Sequence, residues 1–252
     1  DIYWARSRVL EYLNFAQKSL PVGVTPSLGP DATGVGWVFE YAVVGAQRTL
    51  AELRSIQDWF IRFQLTEADG VAEVASVGGF VKQYQVVVDP NKLRSFAIPL
   101  STVTNAIRAS NADVGGSTIE MSEREYMVRG RGYLKDAADL ENIVLKSAGG
   151  TPVLVKDIAR VELGPASRRG LAELNGQGEV AAGIVLQRDG ENALNVIKSI
   201  KQKIAEIADS LPKGVSIQTV YDRSDLIYRA IETLNRTLIE EAIIIAVVCM
   251  VF

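Results

Sequence analysis

Residues 180–220, VAAGIVLQRDGENALNVIKSIKQKIAEIADSLPKGVSIQTV, decide the fold class. Val180 to Gln187 is a β-rich run closed by the turn Arg188-Asp189-Gly190. Ala193 to Ser210 places apolar residues at helical spacing, with Lys and Glu on the other face. Leu211-Pro212-Lys213-Gly214 breaks that helix, and Val215 to Val220 is a second β-rich run. Strand, amphipathic helix and strand together make a βαβ unit.

The same order occurs upstream. Trp37 to Val44 (WVFEYAVV) reads as a strand, and Thr49-Leu50-Ala51-Glu52 is a capping box that starts a helix reaching about Leu65. Val71 to Val77 and Lys82 to Val88 are two further strands around the turn Gly78-Gly79; the second stops at Asp89-Pro90, and a short helix and a second one over Ser101 to Ser110 follow. Residues 2–19 carry Ile2, Ala5, Val9, Tyr12, Leu13 and Ala16 at near-helical spacing, broken by Leu20-Pro21-Val22-Gly23-Val24. Gly29 to Gly36 (GPDATGVG) reads as a linker or crossover. The pattern S-L-P-x-G-V-[ST] occurs at Ser19 to Thr25 and again at Ser210 to Ser216, each time between a long helix and an expected strand, which points to duplicated α/β units.

From Ala112 to about Gly178 the texture turns to short polar strands and turns. The best strand segments are Tyr126 to Arg129, Asn142 to Lys146, Pro152 to Val155 and Ala159 to Leu163, with Gly149-Gly150-Thr151-Pro152 as a hairpin turn. A chain of 252 residues with 48% apolar residues is ample for several cores, which excludes a disordered chain. Its 27 basic and 30 acidic residues leave a formal charge of −3, so nucleic acid is not an expected partner.

Histidine is absent, which removes Ser-His and Cys-His nucleophiles and every His-containing zinc or copper site. The single cysteine, Cys249, can neither pair within the chain nor build a CxxC site. Any metal site built from this chain alone would rest on carboxylates or on Met121, Met127 and Met250. The sequence opens Asp1-Ile2-Tyr3-Trp4 without an initiator Met or a signal-like run, as expected of part of a longer protein. Ala242 to Phe252 (AIIIAVVCMVF) is an unbroken apolar run on a helical stretch that starts at Ser224, with Glu240-Glu241 just before it. Two readings exist: a buried terminal strand or core helix, and the start of a transmembrane helix, which needs about 20 such residues in all. The sharp onset of apolar character on a continuing helix favours the second.

Several stretches resemble the resistance-nodulation-division efflux pumps: Gly70 to Gly79 (GVAEVASVGG), Val153 to Pro165 (VLVKDIARVELGP), and Tyr221-Asp222-Arg223-Ser224 leading into Thr237 to Ile244 (TLIEEAII). Asp1 to Arg8 (DIYWARSR), Gly29 to Trp37 (GPDATGVGW) and Arg168 to Gly176 (RRGLAELNG) are most similar to the heavy-metal branch, the CusA/CzcA type. The resemblance implies an α+β fold: ferredoxin-like βαβ porter subdomains with an α+β docking insertion, ending at the start of a transmembrane helix. It places the end of a first porter subdomain at 1–36, the first part of a second at 37–111, a docking insertion at 112–178, the rest of the second porter subdomain at 179–222, and a linker helix with the start of a transmembrane helix at 223–252. It further implies a homotrimeric proton antiporter of the bacterial inner membrane, with this segment in the periplasm. A periplasmic adaptor and an outer-membrane channel are the implied partners, and the cargo is copper/silver or zinc/cobalt/cadmium. A drug- or protein-export relative whose porter segment is an interaction module is the rival assignment.

In that family the proton-relay residues and the credited methionine cluster lie on parts outside these 252 residues, so no catalytic, cofactor-binding or defined metal-ligating residue is assigned here. Three constellations remain open. Met121 and Met127, with Glu120, Glu123 and Glu125, either pass on a soft cation or form an ordinary strand and acidic surface; the second is favoured, since Met is mostly a gap-filler. Arg168-Arg169 beside Glu173 reads as an anion clamp or, preferably, a surface ion pair, and the copper/silver members' nearby methionine is replaced by Ala166 and Ser167. Asp222, Arg223 and Asp225 stand where a strand passes into the last helix, either coupling porter movement to the membrane or simply capping that helix.

Overall fold

A computed structural model of the chain describes residues 1–148, 150–168 and 170–251. From the N-terminus the elements are α1 (Ile2–Ala16), β1 (Trp37–Val44), α2 (Leu50–Ile56), a π-turn (Gln57–Ile61), α3 (Arg62–Thr66) and β2 (Val71–Gly78). Next come β3 (Lys82–Val88), α4 (Pro90–Ser95), α5 (Leu100–Ala109), β4 (Val114–Met121), β5 (Arg124–Gly130), α6 (Ala137–Glu141), β6 (Val144–Ala148), β7 (Thr151–Leu154), α7 (Val155–Ile158) and β8 (Ala159–Pro165). The last elements are β9 (Ala181–Gln187), α8 (Ala193–Ile207), β10 (Ser216–Asp222) and α9 (Arg223–Val251). Contacts divide them into two compact units, residues 1–81 with 168–252 and residues 82–167.

The first unit holds a four-stranded antiparallel sheet in the order β10-β1-β9-β2. Each βαβ unit is therefore split by a strand of the other, which is the ferredoxin-like arrangement that the resemblance implied. Residues 37–44 and 181–187 share this sheet, and the register Tyr41↔Gly183, Phe39↔Val185 and Val43↔Ala181 puts those six side-chain positions on one face. Helices α2, α3 and α8 cover that face. Leu53, Ile61 and Leu65 from one side and Val196, Ile197 and Ile200 from the other meet Phe39, Tyr41, Val43, Val74 and Val185 in a single buried cluster.

One polar chain crosses this core. The Tyr41 hydroxyl donates to Gln57 Oε1 at 2.9 Å, and Gln57 Nε2 donates to Ser76 Oγ at 3.2 Å. Burial pushes the Tyr41 phenol above the ordinary tyrosine range, so it stays a neutral donor. Gly183 leaves room for that ring, because a Cβ there would lie 2.2 Å from Tyr41 Cζ. Gln57 opens the π-turn inside an otherwise α-helical stretch, a widening that aims its amide inward. The helix start upstream follows the expected capping box: Thr49 N donates to Glu52 Oε2 at 2.8 Å, and Glu52 N to Thr49 Oγ1 at 3.3 Å. The Thr49 backbone amide, then its hydroxyl, hold the Glu52 carboxyl below the usual range.

The repeated S-L-P-x-G-V-[ST] pattern folds the same way twice. Helices α1 and α8 both have 15 residues, and each runs into a three-residue 3₁₀ turn, Gln17–Ser19 and Ala208–Ser210. Val24 N donates to Pro21 O at 3.1 Å and Val215 N to Pro212 O at 3.0 Å, with Gly23 at φ +90° and Gly214 at φ +80°. Both glycines occupy left-handed backbone that a Cβ would strain. The two copies diverge beyond this turn. β10 comes after the second, while no strand comes after the first within residues 21–36, contrary to the expected flanking strand. α1 has no buried residue, whereas α8 buries Val196, Ile197, Ile200 and Ile207.

The second unit begins earlier than the texture change at residue 112. β3, α4 and α5 pack there, because β3 pairs with β8 over Lys82↔Pro165 to Val88↔Ala159. So β2 and β3 are not partners across Gly78-Gly79, as their proximity in sequence suggested. Ile98, Val103, Leu140, Ile143, Leu145, Val155 and Ile158 form this unit's core. β6 and β7 pair as a hairpin, and the Gly149 position of its expected turn lies outside the described residues. β4 was not foreseen; with β5 it makes a hairpin in which every residue is exposed.

Two substitutions test this core. Ile200→Ala, at a fully buried position, lowers unfolding free energy by about 2–5 kcal/mol in urea titration. Gly183→Ala drives a methyl into Tyr41 and costs about 1–3 kcal/mol, while Gly190→Ala, in open space at positive φ, costs only about 1 kcal/mol of backbone strain.

Candidate functional site

The β4–β5 register separates the two methionines. Thr118 pairs with Met127, Glu120 with Glu125, and Met121 with Arg124. Strand alternation therefore puts Met127, Glu120 and Glu125 on one face and Met121 on the other. Two thioethers on opposite faces of a ribbon cannot share one cation. Ser122 (φ +52°) and Glu123 (φ +63°) form the two-residue turn with both φ positive, so Glu123 sits at the tip. The hairpin base is fixed by Asp113, which accepts from Arg129 Nε at 3.0 Å through Oδ2 and from Gly132 N at 3.0 Å through Oδ1. Arg129, then the Gly132 amide, hold the Asp113 carboxyl below its ordinary range.

Arg168 does not pair with Glu173. Its guanidinium forms a two-point pair with Glu179, with Arg168 Nη1 to Glu179 Oε1 at 2.9 Å, and lies 5.6 Å from the centre of the Phe80 ring. Each partner shifts the other, raising the guanidinium and lowering the carboxyl. Glu173 instead bridges Glu179 through the backbone. The reason is a turn at Asn175-Gly176 (φ +54° and +70°), which folds 172–180 back on itself and returns Glu179 to Arg168. Arg169 lies outside the described residues. With its charge already matched and its face against Phe80, Arg168 has a structural task here.

Asp222 ends β10 and caps α9. Its Oδ1 accepts from Ser224 N at 2.9 Å and Ser224 Oγ at 2.6 Å, and its Oδ2 pairs with Lys201 Nζ from α8. Burial alone would raise this carboxyl, but Lys201 and Ser224 outweigh it and keep it below the ordinary value of 3.8. Arg223 donates to Val35 O in the crossover, and Asp225 is exposed on the first turn of α9. Asp222 thus caps α9, and Lys201 is a partner that sequence reading missed.

The sheet face opposite the helices carries a further feature. Alternation places Glu40 there, between Tyr221 on β10 and Ile184 on β9; the next row is Gln218, Ala42, Ala182 and Val77. Glu73 pairs with Leu186 on the same face. Among the described residues neither Glu40 nor Glu73 has an ion-pair partner, and none of these strand positions is Lys or Arg. Hard-oxygen donors on a face that carries no basic side chain attract cations without a closed ligand cage. No three Asp, Glu or Cys side chains converge on one point among the described residues.

The last helix, α9, keeps its apolar end unpacked. Ile243, Ile244, Ile245 and Val251 are all exposed, so the core-segment reading of that run does not hold for the described residues 242–251. Ten helical residues span about 15 Å, roughly half a bilayer core, and no helix among the described residues is long and apolar enough to cross a membrane.

The Asp222 contacts carry a pH signature. A carboxyl whose native pKa is depressed adds stability above its unfolded value and loses it as pH falls through the native one. Asp222→Asn therefore costs about 1 kcal/mol at neutral pH, given the half-exposed lysine. The difference from wild type shrinks in denaturant titrations once pH drops below 3.8.

Known proteins resemble this chain along its whole length. It is 56% identical over 255 residues to the Cation efflux system protein CusA of Escherichia coli (strain K12), covering 100% of this chain and 24% of that protein. The Putative cation efflux system protein SilA of Salmonella typhimurium is 55% identical, and the Cobalt-zinc-cadmium resistance protein CzcA of Cupriavidus metallidurans 38%, each with 24% of its length covered. A crystal structure of a heavy metal efflux pump superposes with a TM-score of 0.85 at 35% identity, over 94% of this chain and 24% of that one. The chain thus spans about a quarter of the length of these relatives. These relatives are transporters rather than enzymes. One family description, AcrB/AcrD/AcrF, matches from residue 1 to residue 252, and the chain belongs to that family.

Proposed function

We propose that this chain is the periplasmic porter and docking portion of a proton-driven heavy-metal cation efflux pump of the bacterial inner membrane. The sheet unit is its porter part, residues 82–167 are its docking part, and the apolar end of α9 begins a membrane span. The pump works as a homotrimer with a periplasmic adaptor and an outer-membrane channel, and exports cations of the copper/silver or the zinc/cobalt/cadmium class.

The observation that carries this reading is the composition of the open sheet face. Glu40, half-buried, and Glu73, exposed, stand on it without an ion-pair partner among the described residues, and no strand position there is basic. Such a face suits the wall of a path for hydrated cations. The exposed β4–β5 hairpin supplies the kind of surface that contacts a neighbouring subunit, being a ribbon without a core of its own. Arg168, locked by Glu179 and Phe80, holds the return of the chain into β9.

The test uses the full-length protein in a metal-sensitive export-deficient bacterium. Metal salts and organic toxicants are offered side by side, and resistance rises for one of the named metal classes. Resistance to organic compounds without resistance to metals rejects the reading in favour of a drug exporter. In the same assay Glu40→Gln lowers metal export by about tenfold with unchanged protein amount, and normal export by that variant removes the open face from the path.

A further inference from the structure

Helix α9 is fully buried only at its first turn. Of its 29 residues, only Ser224 is buried. Beyond that turn α8 and α9 flank a cleft of about 500 Å³ lined by Glu191, Leu194, Ile227 and Ile231, where Leu194 and Ile227 are only half-buried. The contacts at its base are polar and local. The Asp222 carboxylate uses one oxygen for Ser224 N and Oγ and the other for Lys201 of α8, while Arg223 reaches Val35 O in the crossover.

Residues 223–251 contain neither Gly nor Pro, and α9 is unbroken. At 1.5 Å per residue it is a rod of about 43 Å, and a tilt of roughly 10° at its base carries its far end about 7 Å. A small error in the first turn is therefore large at the apolar end.

We infer that Asp222 is the positioning residue of α9: by joining Lys201 on one side and Ser224 on the other, it makes β10, α8 and α9 turn as one body. This rests on the export reading and deepens it, because it names the contact through which movement of the sheet unit reaches the apolar end of the chain. A carboxylate suits the position since it offers two oxygens in different directions and a charge for Lys201. Asparagine keeps the cap and loses the ion pair; alanine loses both.

The experiment uses the full-length protein with native cysteines replaced, Cys249→Ser included, and spin labels at Lys198→Cys on α8 and Leu234→Cys on α9. Both positions are exposed. Pulsed dipolar spectroscopy gives a narrow α8–α9 distance distribution in the parent. Asp222→Ala broadens it and lowers metal export roughly 2- to 30-fold at equal trimer amount. Lys201→Met, which leaves the Ser224 cap intact, broadens it less. An unchanged distribution with Asp222→Ala overturns the inference, and so does broadening with normal export. Should Asp222→Ala fail to accumulate as folded protein, Lys201→Met decides: broadening supports the inference and an unchanged distribution refutes it. A parent that exports no metal sinks the proposed function, while the distance distributions still judge Asp222.

Discussion

Strand β1 needs partners from the far end of the chain, and that requirement governs the rest of the first unit. It lies between β9 and β10, which come after an intervening compact unit, so the sheet forms only after a long loop closes. The entropy of closing such a loop grows slowly with its length, which makes the insertion tolerable. The insertion also brings its own ends together, since β3 and β8 pair along their full lengths. At the centre of β1, Tyr41 enters the space left by Gly183 and hands its hydroxyl to Gln57. A buried hydroxyl without a partner would cost about 1–3 kcal/mol, so this pairing specifies one register of β1, β9 and the helix stretch rather than merely filling space.

Covering one face of the sheet with α2, α3 and α8 leaves the other without helices of its own unit. The side chains of the covered face are Phe39, Tyr41, Val43, Val74 and Val185; those of the open face include Glu40, Glu73 and Tyr221. A bulge in the β1–β10 pairing between Glu40 and Tyr41 sets Tyr221 directly opposite Glu40. Period-two alternation thus puts buried apolar side chains and carboxylates on opposite faces of single strands. Glu40 and Tyr41 are neighbours in sequence with opposite destinations.

Much of this architecture is written locally. The two strand-helix-strand patterns, the Thr49–Glu52 capping box and the paired Pro-Gly breaks at 21–23 and 212–214 all fold as their residue types require, because each depends on neighbours a few positions away. The heavy-metal efflux likeness is equally legible in the long motifs. What escaped is what depends on distance. β3 joins β8 and not β2, since two adjacent strands and a glycine turn look like a hairpin whichever partner wins. Arg168 chooses Glu179 over the nearer Glu173 because the turn at Asn175-Gly176 reverses the chain. Lys201 looks like one more solvated charge on an amphipathic helix; only the end of β10, 21 positions later, makes it a partner of Asp222. The opposite orientation of Met121 and Met127 depends on the β4–β5 register, and β4 itself, rich in Gly and polar residues, gave little strand signal.

Two distant stretches, residues 37–78 and 181–222, form one cooperative sheet around a single covered face. Native-state amide exchange on the full-length protein, read by peptide mass, tests it most directly. The account predicts that β1, β2, β9 and β10 lose protection together, with the same denaturant dependence, because no subset of them retains a covered core. Protection of β9 and β10 that persists after β1 and β2 have opened would contradict it.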